Sequence, residues 1–149
     1  MASTATPLRL LSLIAMLAFA GLAAGCGGKA PAPWEQVYPA TGTVLFKGKP
    51  LAGAVITLVP LDAEFPNSVR PSATSKDDGT FALGTYATAD GAPAAEYKAL
   101  VLHFPVVGPK DHPSAGPNDL PRKYARAESS DLRVVVSPEN SELPPLVIK

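Results

Sequence analysis

Apolar positions follow two different patterns along the 149 residues. Residues 10–24, LLSLIAMLAFAGLAA, form one uninterrupted uncharged run. At fifteen residues it matches the apolar stretch of a signal peptide and falls short of the ~20 a helix needs to cross a bilayer. From Thr41 onward apolar residues instead come in short β-prone bursts separated by Gly, Pro, Asp and Asn. No stretch of eleven or more carries a helical stripe.

The bursts predict strands in order. TGTVLF (41–46) is followed by a connection rich in Gly and Pro, KGKPLAGA (47–54), and then by VITLVP (55–60), which is apolar on both faces and therefore central. A loop over 61–71 leads to SATSKDDGTFAL (72–83), where KDDG fits a hairpin turn with Gly79 at positive φ. After a loop over 84–95, EYKALVLHF (96–104) is the strongest strand. Residues 105–131 carry five prolines and read as a long irregular loop, the kind that tends to be functional. LRVVV (132–136) and LPPLVIK (143–149) close the pattern, and Pro144 and Pro145 push the last strand to a late start or an edge. The sum is an all-β fold, an antiparallel seven-strand β-sandwich over 41–149.

Composition narrows the function. Thirteen basic and thirteen acidic residues balance without a long run of either sign, so no footprint for nucleic acid appears. Two histidines and one cysteine provide neither a closed zinc site nor an internal disulfide, and no cofactor is expected. That one cysteine, Cys26, directly follows the apolar run and the small residues Ala23, Ala24 and Gly25. Residues 26–40, rich in Gly and Pro, read as a flexible tether, with Trp34 either capping the domain's core or lying at a membrane interface.

LAAGC resembles the lipobox of bacterial lipoproteins, with Ala23 where leucine is preferred. The resemblance implies a signal peptide over 1–25, its removal, and attachment of membrane lipid and acyl chains such as palmitate at Cys26. An ordinary secretory signal, leaving a free thiol, and an uncleaved membrane helix are the other readings of these residues. Gly27 follows the cysteine where inner-membrane retention uses Asp, which points to the outer membrane.

TGTVLFKGKPLAGAVITLVP, SKDDGTFAL, AAEYKALV and LPRKYARAESSDL, in that order, resemble the carboxypeptidase regulatory-like, transthyretin-like sandwich domains of small planctomycete-type lipoproteins. Ala95 and Lys76 depart from that pattern. The resemblance implies a structural or interaction domain and no catalytic residue.

Candidate chemistry is thin. His103, His112, Asp111, Asp119 and Ser114 permit a triad to be drawn without any nucleophile-elbow pattern, so the chain is not expected to be an enzyme. Asp77 and Asp78 read as a solvated turn rather than a calcium loop. PRKYAR (121–126) either docks Tyr124 into the sandwich or offers Arg122, Lys123 and Arg126 to an anionic glycan or lipid headgroup. Two functions are expected. One is a non-catalytic, lipid-anchored envelope domain that engages envelope proteins or glycans. The other is a carbohydrate or small-ligand module using loops 61–71 and 105–131 at one end, with Phe65, Tyr86, Phe104 and Tyr124 as its aromatics.

Overall fold

A computed structural model describes residues 30–149. The expected signal peptide over 1–25, Cys26 and the first tether residues lie outside the described residues. The folded unit starts at Pro31, so the last ten residues of the expected tether belong to it.

Twelve short strands and one 3-10 turn make up the unit. β1 spans Val37–Tyr38, β2 Thr41–Phe46, β3 Lys49–Pro50 and β4 Ala54–Pro60. β5 (Ser72–Thr74), β6 (Thr80–Ala82) and β7 (Ala92–Pro93) lead to the longest, β8 (Ala95–His103). β9 (Val106–Val107), β10 (Ser114–Ala115), β11 (Arg133–Val136) and β12 (Leu146–Ile148) follow, with the 3-10 turn over Arg122–Ala125.

The larger strands build two sheets. One has the order β11-β8-β4-β5, antiparallel throughout, with Val55 opposite Leu102 and Val134 opposite Tyr97. In the other, β2 is flanked by β12 on one side, while β6 and β3 each pair with half of its other side. β1–β7 and β9–β10 are separate two-stranded ribbons.

Alternation explains how the sheets meet. Ala54, Ile56 and Leu58 of β4 and Tyr97, Ala99 and Val101 of β8 are fully buried, while their neighbours in sequence are half-buried or exposed. They join Val44, Phe81, Leu146 and Ile148 of the second sheet in one apolar cluster. Side chains of this size contribute ~1.5–3 kcal/mol each when withdrawn from water, so this layer is what holds the sheets face to face. The molecule is all-β with a β-sandwich arrangement.

Two expectations are corrected. Eight strands rather than seven form the two sheets, because β3 and β6 are too short to cover β2 individually. The arrangement is also not antiparallel throughout, since β12 runs parallel to β2. β11 ends beside Ala95, and residues 137–145 then bring the chain to the beginning of β2, where Thr41 donates its N–H to the Ser141 carbonyl. A chain arriving there has to run in the direction of β2.

The pairing of β4 with β8 also defines two ends. Pro60 meets Tyr97 at one, and Ala54 meets His103 at the other, ~20 Å away.

Candidate functional site

At the Tyr97 end the chain before β1 is stitched to the domain. The Trp34 ring stands edge-on to Phe65, which is buried in the 61–71 loop. The Tyr86 hydroxyl donates to the Trp34 carbonyl. Open grooves of about 460 and 470 Å³ flank Trp34, the first bordered by Glu35, Pro66, Val69 and Tyr86 and the second by Leu61, Glu64 and Ala95. Of the two placements expected for Trp34, the contacts are those of a cap over this end.

Tyr86 is held by the loop that carries it. Asp90 accepts the backbone N–H groups of Thr85, Tyr86 and Ala87 at 2.7, 3.2 and 2.9 Å, and the Thr85 hydroxyl donates to the Gly91 carbonyl. Burial pushes the Asp90 carboxyl up, and the N–H donors together outweigh it, leaving it below the usual carboxylate range. Burial raises the Tyr86 phenol, helped by the charges of Glu35 and Asp90. A larger open cleft, about 730 Å³, runs from this loop past Ser72, Thr74, Lys76 and Ala82 between the edges of the two sheets.

The opposite end holds the other candidates. His103 Nδ1 lies 2.8 Å from an Asp119 oxygen, and the His103 backbone N–H donates to Asn118 Oδ1. His112 and Ser114 are exposed on the β9–β10 ribbon, and the Ser114 hydroxyl is spent on the Val107 carbonyl. The histidine that gains a carboxylate is therefore His103, a pairing across sixteen positions that spacing in sequence does not reveal. Asp78 is likewise engaged, by both the N–H and the hydroxyl of Thr80, which lowers its carboxyl. Asp77 is exposed beside it, and among the described residues no three His, Cys, Asp or Glu side chains gather as a metal group.

Tyr124 is buried, and its hydroxyl accepts the Lys149 N–H. Around it, Lys123 donates to Asp131 at 2.9 Å and lies over the Tyr124 ring, which raises the ammonium and lowers the Asp131 carboxyl. A cavity of about 520 Å³ opens among Arg122, Lys123, Ala125, Arg126 and Ser129.

The two loops expected to share one site do not. The 61–71 loop leaves β4 at Pro60 and the 105–131 loop leaves β8 at His103, at the opposite end of the sheet, and the second returns along β8 as far as Ala99, where the Ser130 hydroxyl is bonded. The four aromatics are divided accordingly. Phe65 and Tyr124 are buried, while Tyr86 and Phe104 are exposed at different ends. Antiparallel pairing of β4 with β8 forces the separation, since consecutive exits from such a pair face opposite ways.

No protein-family model and no curated protein matches the chain. Among solved structures it is similar to a 9R-lipoxygenase from Cyanothece PCC8801, at 17% identity and a TM-score of 0.41. The likeness covers 80% of this chain and only 17% of that one. The expectation that the chain is not an enzyme gains no support from this likeness and is withdrawn. At that identity and TM-score no lipoxygenase chemistry transfers, and no catalytic residue is assigned here.

Proposed function

We propose that the chain is a lipoprotein of the bacterial cell envelope, joined to membrane lipid through Cys26 after loss of residues 1–25 and resident in the outer membrane. Its sandwich is of the carboxypeptidase regulatory-like, transthyretin-like type and serves as a structural or interaction domain toward envelope proteins or glycans. The apolar run ending at Ala23, Ala24, Gly25 and Cys26 supports the anchor.

The observation that carries the reading is the docking of Trp34 on Phe65 and Tyr86. Trp34 is eight residues past Cys26, a separation of at most ~28 Å even when fully extended. An acylated Cys26 therefore holds the Trp34 cap within that distance of the lipid.

Metabolic labelling with palmitate, followed by membrane fractionation, tests the anchor. Wild-type chain takes up label and sediments with the outer membrane, while Cys26→Ala carries no label and accumulates as precursor. Label persisting in Cys26→Ala would defeat the proposal, and sedimentation with the inner membrane would reverse its assignment to the outer one.

A further inference from the structure

The cavity beside the 3-10 turn has a composition that solvation of a turn does not require. Three of its five lining residues are cations, and no acid lines it. The ion pairs among the described residues are His103–Asp119, Lys123–Asp131 and Arg133–Glu96, which leaves Arg122 and Arg126 without an acidic partner. Residues 1–29 contain no acid that could supply one. Glu128, the nearest acid in sequence to Arg126, lies outside the lining.

The backbone bearing these arms is fixed from several sides. Tyr124 is sunk into the core and holds the Lys149 N–H. The Ser129 hydroxyl donates to the Lys123 carbonyl at 2.7 Å, and the Ser130 N–H donates to the Arg126 carbonyl at 2.9 Å. Ser130 in turn donates its own hydroxyl to the Ala99 carbonyl of β8. Two guanidinium groups therefore project from a braced loop around one opening. A planar fork of donors on a fixed backbone suits an oxyanion, which accepts two parallel hydrogen bonds from each arginine.

We infer that this cavity binds a phosphate or sulfate group, with Arg122 and Arg126 as its two arms and the Lys123 ammonium, shared with Asp131, adding charge at its wall. The inference stands apart from the lipid anchor, since it rests only on residues of the folded unit.

The test follows inorganic phosphate binding to the full chain carrying Cys26→Ser, in an uncharged detergent, through backbone amide NMR shifts. Saturable shifts confined to residues 121–131 are expected, weakening as NaCl is raised. Arg126→Gln and Arg122→Gln each weaken binding ~tenfold, the loss that accompanies one charge-assisted interaction of ~1.4 kcal/mol. Arg126→Lys keeps the charge but loses the fork and falls between. Lys110→Gln, on the exposed ribbon, changes nothing. Unsaturable shifts spread over all the lysines and arginines, or equal binding by Arg126→Gln, would overturn the inference. Vesicles of phosphatidylglycerol separate the sources. Capture of the Cys26→Ser chain above that on phosphatidylcholine vesicles, lost on adding Arg126→Gln, assigns the phosphate to a lipid headgroup, and phosphate binding without that extra capture assigns it to a soluble or polymer-borne group.

Discussion

Trp34 meets Phe65 edge to face, with ring centroids 5.9 Å apart and planes at 66°. Aromatic pairs in this geometry contribute ~0.5–1.5 kcal/mol beyond the area they bury, and Phe65 is in addition almost fully enclosed. Phe65→Ala is expected to cost about 3 kcal/mol and Trp34→Ala about 1–2 kcal/mol. Urea midpoints report both. Equal losses for the two would mean that Trp34 belongs to the core rather than capping it.

Gly91 separates a backbone requirement from a steric one. Its φ is +106°, and an added Cβ would lie 2.0 Å from the Tyr38 carbonyl oxygen, where β1 joins β7. Gly53 has φ of +69° with nothing within 4 Å. Gly53→Ala should therefore cost about 1 kcal/mol and Gly91→Ala on the order of 3 kcal/mol. Hydrogen exchange supplies the check, with protection lost at Val37 and Tyr38 in Gly91→Ala alone.

Asp90 makes the 84–91 loop acid-sensitive. Its folded carboxyl titrates below the 3.8 of an unfolded aspartate, so its contribution is complete above that pH and fades as pH drops through the folded value. Wild type is expected to lose stability progressively below about pH 4. Asp90→Asn, which gives up one of the two accepting oxygens, starts less stable at neutral pH and shows a shallower acid loss. Urea midpoints of both chains that fall in parallel with pH would refute the assignment.

Ser75 joins three segments through one oxygen. Its hydroxyl donates to the Leu51 carbonyl at 2.6 Å and accepts the Ala54 N–H at 2.8 Å, and the residue is buried. Ser75→Ala leaves both backbone groups without a partner, at an expected cost of about 2 kcal/mol. Thermal unfolding measures it, and a change within ~0.5 kcal/mol would show that water takes the hydroxyl's place.

How much of this was legible depended on whether the signal was local. β2 lies where TGTVLF places it, β4 starts one residue early, β8 is shifted by one residue, and β12 begins directly after Pro145. These elements announce themselves through alternation or through proline's missing donor. β1 and β7 were not foreseen, because two-residue ribbons carry no period and owe their existence to each other. Trp34 with Phe65, His103 with Asp119 and the opening between Arg122 and Arg126 likewise depend on residues brought together by the fold. Composition had pointed to PRKYAR, but as a choice between docking and anion binding. Tyr124 can dock while Arg122 and Arg126 stay uncommitted, so the two are compatible.

The parallel pairing of β12 with β2 bears on when the domain can fold. Val44 sits opposite Leu146, a hundred residues later in the chain. Until residues 146–148 emerge from the ribosome, β2 lacks the neighbour on that flank, and the second sheet cannot finish closing over Ile56 and Tyr97. Long-range closure of this kind is slow as well as late. A chain exported in the way proposed above has to reach the translocation machinery still open, and this topology delays its own completion until β12 is available to β2.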